Sequence, residues 1–200
     1  MIDNFIRERL PPFVSPLLKL YKRWNVHPCT LSLLGLAVTV VSAFAIVQGF
    51  FVTALFLWYL SRIFDGTDGL WARESGRESA FGSYLDFVCD MTAYSLIVVA
   101  FYVRIPELTP YWMAMLFLYI VCTTSALTLG SQEQRLGLSP RDNRGLRLGA
   151  GLAEAGEASI AYTLLLLFPQ FMKPIATGWL LVLGLTVILR TLLAYKTLPR

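Results

Sequence analysis

Four aspartates within a 26-residue stretch of strongly apolar sequence constrain this chain more than any other feature. They are Asp65, Asp68, Asp86 and Asp90. An ionised carboxylate inside a bilayer costs about 3 kcal/mol or more unless it is paired or bound to a cation. A chain that keeps four of them in such a stretch is therefore expected to use them for function.

The composition predicts an integral membrane protein. Of 200 residues, 56% are hydrophobic and only 15% are charged, which is too apolar for an ordinary soluble domain. A transmembrane helix needs roughly 20 mostly apolar residues. Six such windows can be read from the sequence, at about 29–50, 52–73, 81–103, 110–130, 150–168 and 175–196. We therefore predict an all-α fold with six transmembrane helices.

The first 24 residues mix apolar and basic side chains and precede the first window. This mixture predicts an amphipathic helix at the membrane surface, beginning near Ser15 after the Pro11-Pro12 pair. A basic topology signal explains the charges equally well, but not the apolar positions. The predicted organisation is an interfacial segment, 1–24, followed by one transmembrane domain, 25–200. No cleavable signal peptide is visible, because no long apolar run occurs near the N-terminus.

The distribution of positive charge predicts the orientation. With six spans, the outer connections hold only Arg104 and Lys173, and most other Lys and Arg residues lie at the termini and in the connections at 73–80 and 131–149. Positive loops stay in the cytoplasm, so both termini and the acidic segment are expected to face it. The net charge of +4 is attributed to topology and anionic lipids, and no nucleic-acid partner is expected.

The three cysteines do not suggest a disulfide or a metal site. Cys29, Cys89 and Cys122 lie in or beside apolar windows, with no pair at metal-ligand spacing. We interpret them as small buried side chains.

Helical spacing brings the acidic residues together on two faces. Asp65 and Asp68 are three residues apart, and Asp86 and Asp90 are four apart, so each pair shares one face of its helix. Two successive helices joined by a short connection run antiparallel, which allows the two faces to confront each other. Four close carboxylates require protons or cations between them.

A ligand set of carboxylate oxygens alone favours Mg²⁺, Mn²⁺ or Ca²⁺ over zinc. Gly66, Gly69, Ala72 and Gly82 are small and leave room for a ligand close to the backbone, and Arg73 offers a guanidinium to a phosphate.

Two other interpretations of the acids are considered. Buried ion pairs could hold the helices together through Arg62, Arg73 and Arg77. Three arginines do not satisfy four carboxylates, however, and ion pairing does not explain the glycines. A cation-coupled transporter also uses intramembrane carboxylates, but the sequence has no inverted repeat of the kind expected for many transporters.

The complete motif resembles the signature of the CDP-alcohol phosphatidyltransferases (class I). It runs Asp-Gly-Thr-Asp-Gly-Leu-Trp-Ala-Arg over residues 65–73, then, after eight residues, Gly82, Asp86 and Asp90. Every fixed position and both gaps agree. The six-helix layout and the leading interfacial helix also resemble this family over nearly the whole chain.

The resemblance implies an enzyme of phospholipid biosynthesis that transfers a phosphatidyl group from CDP-diacylglycerol to a small polar alcohol and releases CMP. It implies two ions of Mg²⁺ or Mn²⁺ held by Asp65, Asp68, Asp86 and Asp90, with Asp90 also acting as the catalytic base. It further implies a homodimer. The CDP-lipid would be bound by Thr67, Gly69, Ala72, Arg73 and Gly82.

The acceptor alcohol is left open by this signature. Arginines in and beside the long cytoplasmic connection favour a phosphorylated polyol, such as glycerol 3-phosphate or inositol phosphate, and two glutamates nearby can bind hydroxyl or ammonium groups. These candidates are Arg135, Arg141, Arg144, Arg147, Glu154 and Glu157. A positive-inside topology signal also explains the arginines, and ion pairing with these arginines also explains the glutamates. Free inositol and amino-alcohols such as serine remain alternatives, and a diacylglycerol acceptor is disfavoured in so short a chain.

Overall fold

The structure, a computed structural model, describes residues 15–137 and 155–199, and within these ranges it contains helices and no strands. The first helix, α1, is described over 15–23. The following helices are α2 (Pro28–Val47), α3 (Phe51–Glu74), α4 (Ala80–Arg104), α5 (Thr109–Arg135), α6 (Ala155–Leu167) and α7 (Met172–Thr197). Two short 3-10 helices, Pro106–Leu108 and Pro169–Phe171, precede α5 and α7.

Four stretches of these helices are long and apolar enough to cross a membrane: Pro28–Val47, Ala80–Arg104, Pro106–Arg135 and Pro169–Thr197. They confirm four of the six predicted windows as helices of membrane-spanning length. The window at 52–73 coincides with α3, which is 24 residues long but carries the charged motif. The window at 150–168 contains α6, a shorter apolar helix of 13 described residues. The first window ends early, at Val47, because Gly49 adopts a left-handed φ of 84°.

The corner between α1 and α2 is built by local capping. Asn25 adopts a positive φ of 49°, a conformation that Asn tolerates better than most residues. His27 is the N-cap of α2, and its Nδ1 accepts a hydrogen bond from the Cys29 amide at 3.3 Å. Pro28 occupies the first turn, where no backbone N–H is needed.

The described chain divides into two compact units, one ending at Glu107 and the other beginning at Leu108. In the first unit, α2 packs against both α3 and α4. Gly35 permits a close approach to α3, since a Cβ there would lie 3.2 Å from the Ser61 carbonyl oxygen. The Ser42 hydroxyl also donates to the Ala54 carbonyl at 2.7 Å. α2 is therefore the central helix of this unit, and its packing partners are α3 and α4.

In the second unit, α7 packs against α5 and α6. Trp179 donates its indole N–H to the Tyr119 hydroxyl at 3.0 Å, and Tyr119 donates to the Tyr162 hydroxyl at 2.9 Å. This chain of hydrogen bonds joins one aromatic side chain from each of the three helices. Arg190, which is buried, donates to the Cys122 carbonyl at 2.6 Å.

Candidate active site

The connection between α3 and α4 sets the position of the acidic residues. It spans only residues 75–79, and Gly76 makes the turn with a φ of 65°. Ser79 caps α4, accepting a hydrogen bond from the Gly82 amide at 3.0 Å. Asp86 and Asp90 consequently lie in the first three turns of α4, and Asp65 and Asp68 lie in the last three turns of α3.

The four carboxylates form one electrostatic cluster within the first unit. The Asp86 side chain is hydrogen-bonded to Asp68. Asp90 is acted on by the charges of Asp65, Arg62 and Asp86. Because these interactions join acids of α3 to acids of α4, the two predicted acidic faces do confront each other.

Asp68 is the most deeply buried member of this cluster, with 3% of its surface exposed. Its Oδ2 accepts a hydrogen bond from the Ser32 hydroxyl at 2.5 Å, and its Oδ1 accepts one from the Gly69 amide at 2.5 Å. These two donors come from different helices, so the orientation of the carboxylate is set by the packing of α2 on α3. Ser32 was not among the residues predicted from the sequence.

Asp90 is held by an arginine. Arg62 Nη1 donates a hydrogen bond to Asp90 Oδ1, and the same nitrogen lies 3.4 Å from Asp65 Oδ2. Ion pairing with the aspartates, considered above for three arginines, is therefore observed for Arg62. Arg77 instead donates to the side-chain oxygen of Asn25 at 2.6 Å.

The small residues of the motif lie beside polar groups. A Cβ on Gly69 would lie 3.7 Å from Arg73 Nη1, so the exposed Arg73 side chain folds back over that glycine. A Cβ on Gly82 would lie 3.1 Å from the Ser79 hydroxyl. Ala72 is half-buried. The space beside Gly69 and Gly82 is therefore partly taken by the side chains of Arg73 and Ser79.

Thr67 is directed toward the N-terminal helix. It is 1% exposed, its hydroxyl donates to the Ile63 carbonyl at 2.7 Å, and it lies 3.2 Å from the Tyr21 hydroxyl. Burial raises the pKa of Tyr21 above its ordinary value, so that hydroxyl stays protonated. Trp71 donates its indole N–H to the Val26 carbonyl at 2.8 Å and packs edge-on against Tyr21. These contacts fasten α1 to α3.

The donor set of the cluster suits a hard divalent cation, since it consists of carboxylate oxygens alone. Over 15–137 and 155–199, no three acidic, His or Cys side chains converge as a metal-binding group in their present orientations. The contacts of Asp90 with Arg62 and of Asp68 with Ser32 account for two of these orientations. The residues fit such a cation in chemistry, since a carboxylate oxygen that accepts one hydrogen bond keeps a second lone pair.

A cleft of about 330 Å³ lies at the C-terminal end of α3, lined by Lys22, Asn25, Trp71, Glu74, Ser75 and Arg77. None of the four aspartates lines it.

The predicted acceptor residues lie mostly outside the described ranges. Arg141, Arg144, Arg147 and Glu154 fall between residues 137 and 155. Arg135 ends α5 and is exposed, whereas Glu157 lies in the first turn of α6 and is half-buried. Two further buried charges in the second unit were missed by the sequence analysis: Glu133 and Arg190, which are 4% and 3% exposed. Arg190 lies within the apolar window at 175–196, which was a signal that could have identified it, whereas Glu133 follows the window at 110–130.

The described helices, with four stretches long and apolar enough to cross a membrane, define a polytopic helical membrane protein that carries a cluster of carboxylates. Residues 25–192 match the CDP-alcohol phosphatidyltransferase family. The match covers most of the chain, which therefore belongs to this family of enzymes. The family resemblance drawn from the aspartate motif is thereby confirmed.

One relative is the inner membrane protein YnjF of Escherichia coli (strain K12). It is 25% identical over 174 residues, which cover 86% of this chain and 84% of that protein. Its name agrees with the membrane location of the present chain.

Solved structures of Mycobacterium tuberculosis phosphatidylinositol phosphate synthase (PgsA1) have a similar fold. The complex with manganese and citrate has a TM-score of 0.69 at 18% identity, covering 90% of this chain and 88% of that one. The structure with CDP-DAG bound has a TM-score of 0.61 at 21% identity, covering 92% and 94%. At these identities the similarity shows a shared fold.

Proposed function

We propose that this protein transfers a phosphatidyl group from CDP-diacylglycerol to a small polar alcohol, with release of CMP. The main support is the cluster of four carboxylates, which lies inside the region that matches the family. The solved neighbour that carries CDP-DAG supports the same donor. This reaction is a step of phospholipid synthesis at a membrane.

The proposed cofactor is Mg²⁺ or Mn²⁺, in two ions held by Asp65, Asp68, Asp86 and Asp90. Carboxylates suit both metals, and the similar fold of a manganese complex supports this assignment. Bound divalent cations supply charge neutralisation for a pyrophosphate and for the leaving CMP.

Asp90 is proposed as the base. Its carboxylate accepts the proton of the acceptor hydroxyl, whose oxygen then forms a bond to the lipid-linked phosphorus. The bond from that phosphorus to the bridging oxygen breaks, and CMP leaves with the electron pair. General-base catalysis of this kind contributes a factor of about 10²–10⁴ to the rate.

The CDP-lipid is proposed to bind near the α3–α4 connection, close to Gly69, Ala72, Arg73 and Gly82. Backbone lacking bulky side chains allows close approach of a nucleotide, and the guanidinium of Arg73 can bind phosphate oxygens. Thr67 contributes to this region through the packing of α3, since its side chain is buried against Tyr21.

The proposed acceptor is a phosphorylated polyol such as glycerol 3-phosphate or inositol phosphate. Arginines suit its phosphate, and glutamates suit its hydroxyl groups. The proposed set is Arg135, Arg141, Arg144, Arg147, Glu154 and Glu157. The PgsA1 neighbours are phosphatidylinositol phosphate synthases, which agrees with this acceptor class. Inositol, serine or another amino-alcohol is the alternative within the same chemistry.

In the membrane, α2 to α7 are proposed as six spans, with 1–24 as an interfacial segment ahead of the 25–200 domain. Both termini and the acidic cluster face the cytoplasm in this arrangement, as the distribution of basic residues favours. The protein is further proposed to act as a homodimer.

The direct test uses purified protein in vesicles with CDP-diacylglycerol, Mn²⁺ or Mg²⁺, and one acceptor at a time. The panel is glycerol 3-phosphate, inositol phosphate, inositol and serine, and both the released CMP and the lipid product are identified. We expect CMP release with a phosphorylated polyol, and none from an Asp68→Asn variant.

CMP release with inositol or serine alone would show that the acceptor is a different alcohol, while the proposed transfer reaction would stand. Absence of CMP release with every acceptor would contradict the proposal. Flux of ions driven by a cation gradient in the same vesicles would then favour the transporter interpretation.

A further inference from the structure

Arg62 occupies an unusual position for a charged side chain, beside two aromatic rings in the interior of the first unit. Its guanidinium carbon lies 4.5 Å from the centre of the Trp58 ring and 5.2 Å from that of the Tyr94 ring. The two rings also pack edge-to-face on each other, 5.3 Å apart. Trp58 belongs to α3 and Tyr94 to α4, so the arginine contacts aromatic groups from both helices.

The same guanidinium contacts both sides of the acidic cluster. Nη1 binds Asp90 on α4 and lies 3.4 Å from Asp65 on α3, while Nε donates to the Ser61 hydroxyl at 3.4 Å. The Arg62 side chain is only 13% exposed. One nitrogen therefore bridges two of the four acids, and a second nitrogen has its own acceptor.

This combination restricts the movement of the arginine. Stacking on aromatic faces and hydrogen bonding at fixed angles both require the planar guanidinium, which a lysine ammonium does not provide. Trp58 is 0% exposed and cannot give way easily. The rings and Ser61 therefore hold the cation in one orientation, and the cation in turn orients Asp90.

We propose that Arg62 is a positioning residue that fixes the Asp90 carboxylate for proton transfer. Nη1 of Arg62 engages Oδ1 of Asp90, so the carboxylate keeps Oδ2 and the second lone pair of Oδ1 for the proposed metal ion and for the proton of the acceptor hydroxyl. This inference rests on the proposed function, in which Asp90 is the base. Arg62 lies outside the family motif, which begins at Asp65.

The kinetic test compares Arg62→Gln and Arg62→Lys with the parent protein. For Arg62→Gln we expect kcat to fall at least about tenfold, a part of what a well-placed base contributes. KM for CDP-diacylglycerol should change less than kcat, because Arg62 contacts none of the residues proposed to bind the CDP-lipid directly. Arg62→Lys should recover only a small part of kcat, since it keeps the charge but loses the planar group. Arg104→Gln, at the far end of α4, is the matched control and should behave as the parent.

A role limited to holding helices together predicts a different pattern. In that case Arg62→Gln would lower the thermal midpoint while leaving kcat of the folded fraction unchanged. An unchanged kcat in Arg62→Gln would overturn the proposal.

A second measurement does not depend on activity. Thermal midpoints of Arg62→Gln, Asp90→Asn and the double variant are compared in a chelator. Because the two side chains contact each other, the fall in the thermal midpoint of the double variant should be smaller than the sum of the falls in the two single variants. Additive losses, as expected for Arg104→Gln combined with Asp90→Asn, would overturn the contact itself. If the parent releases no CMP, the proposed function fails, while this cycle still tests the Arg62–Asp90 relationship.

Discussion

The Ser32 hydroxyl donates a hydrogen bond to Asp68 Oδ2 at 2.5 Å, joining α2 to α3 across 36 residues of sequence. Both groups are buried, with 6% and 3% of their surfaces exposed. A buried carboxylate depends on such donors, because water does not reach it freely. The first membrane helix thus contributes directly to the acidic cluster.

Replacing Ser32 should therefore weaken the site. A hydrogen bond to a charged group is worth about 1.5–3 kcal/mol, so Ser32→Ala should lower kcat/KM about tenfold. Ser32→Thr keeps the hydroxyl and should retain most of the activity. CMP release under initial-rate conditions measures both.

The matched control for this change is Ser42→Ala in the same helix. Ser42 also donates to α3, through the Ala54 carbonyl at 2.7 Å, but it has no contact with the acids. The Ser42→Ala substitution should lower the thermal midpoint slightly and leave kcat/KM of the folded protein unchanged. Equal kinetic losses in both serine variants would indicate a general packing effect.

Gly35 marks the closest approach of α2 to α3. In Gly35→Ala the new methyl group would lie 3.2 Å from the Ser61 carbonyl oxygen and 3.5 Å from the Phe64 Cβ. Overpacking of this kind costs about 1–3 kcal/mol, so the thermal midpoint in detergent should fall. Gly178→Ala in α7 has nothing within 4 Å of the new methyl and should not destabilise the protein. The prediction of overpacking at Gly35 would be wrong if both variants had the same thermal midpoint as the parent protein.

Trp71 fastens the N-terminal helix through its hydrogen bond to Val26 at 2.8 Å. Trp71→Phe removes that bond, worth about 1 kcal/mol, while keeping a ring against Tyr21. Trypsin should then cut faster after Lys19, Lys22 or Arg23, all of which are exposed. Trp24→Phe is the control, because Trp24 is 69% exposed. No difference in cleavage between the two variants would count against this docking contact.

Asp90→Asn separates donor binding from turnover. An amide cannot accept the proton of the acceptor, so kcat should fall about 10²-fold or more, while CDP-diacylglycerol still binds. Binding is followed with labelled CDP-diacylglycerol on the purified variant. Glu107→Gln, in the exposed turn before α5, is the control for loss of one acidic charge. Normal turnover in Asp90→Asn would remove this residue from the role of base.

The acidic helix faces could be predicted from sequence because their spacing is local. Residues three or four apart share a helix face wherever the helix lies, and a five-residue connection makes neighbouring helices antiparallel. The positions of α3 and α4 followed from apolar windows in the same way. Arg62 precedes Asp65 by three residues, so its pairing with that acid had a local signal too.

The contribution of Ser32 could not be predicted, since it arises from packing rather than from spacing. A serine in an apolar helix most often bonds its own backbone, as Thr39 does with the Gly35 carbonyl at 3.0 Å. Only the approach of α2 to α3 gives Ser32 a carboxylate partner. The aromatic groups around Arg62 are another case, because Tyr94 lies 32 residues away on α4. The side chains proposed for the acceptor mostly lie outside the described residues.

The most direct test of the central claim is the metal dependence of CMP release by the purified protein with CDP-diacylglycerol and its acceptor. After exhaustive chelation we expect the release to stop, and added Mn²⁺ or Mg²⁺ should restore it in the parent but not in Asp68→Asn. Full activity after chelation would contradict the claim that the four aspartates act by holding divalent cations.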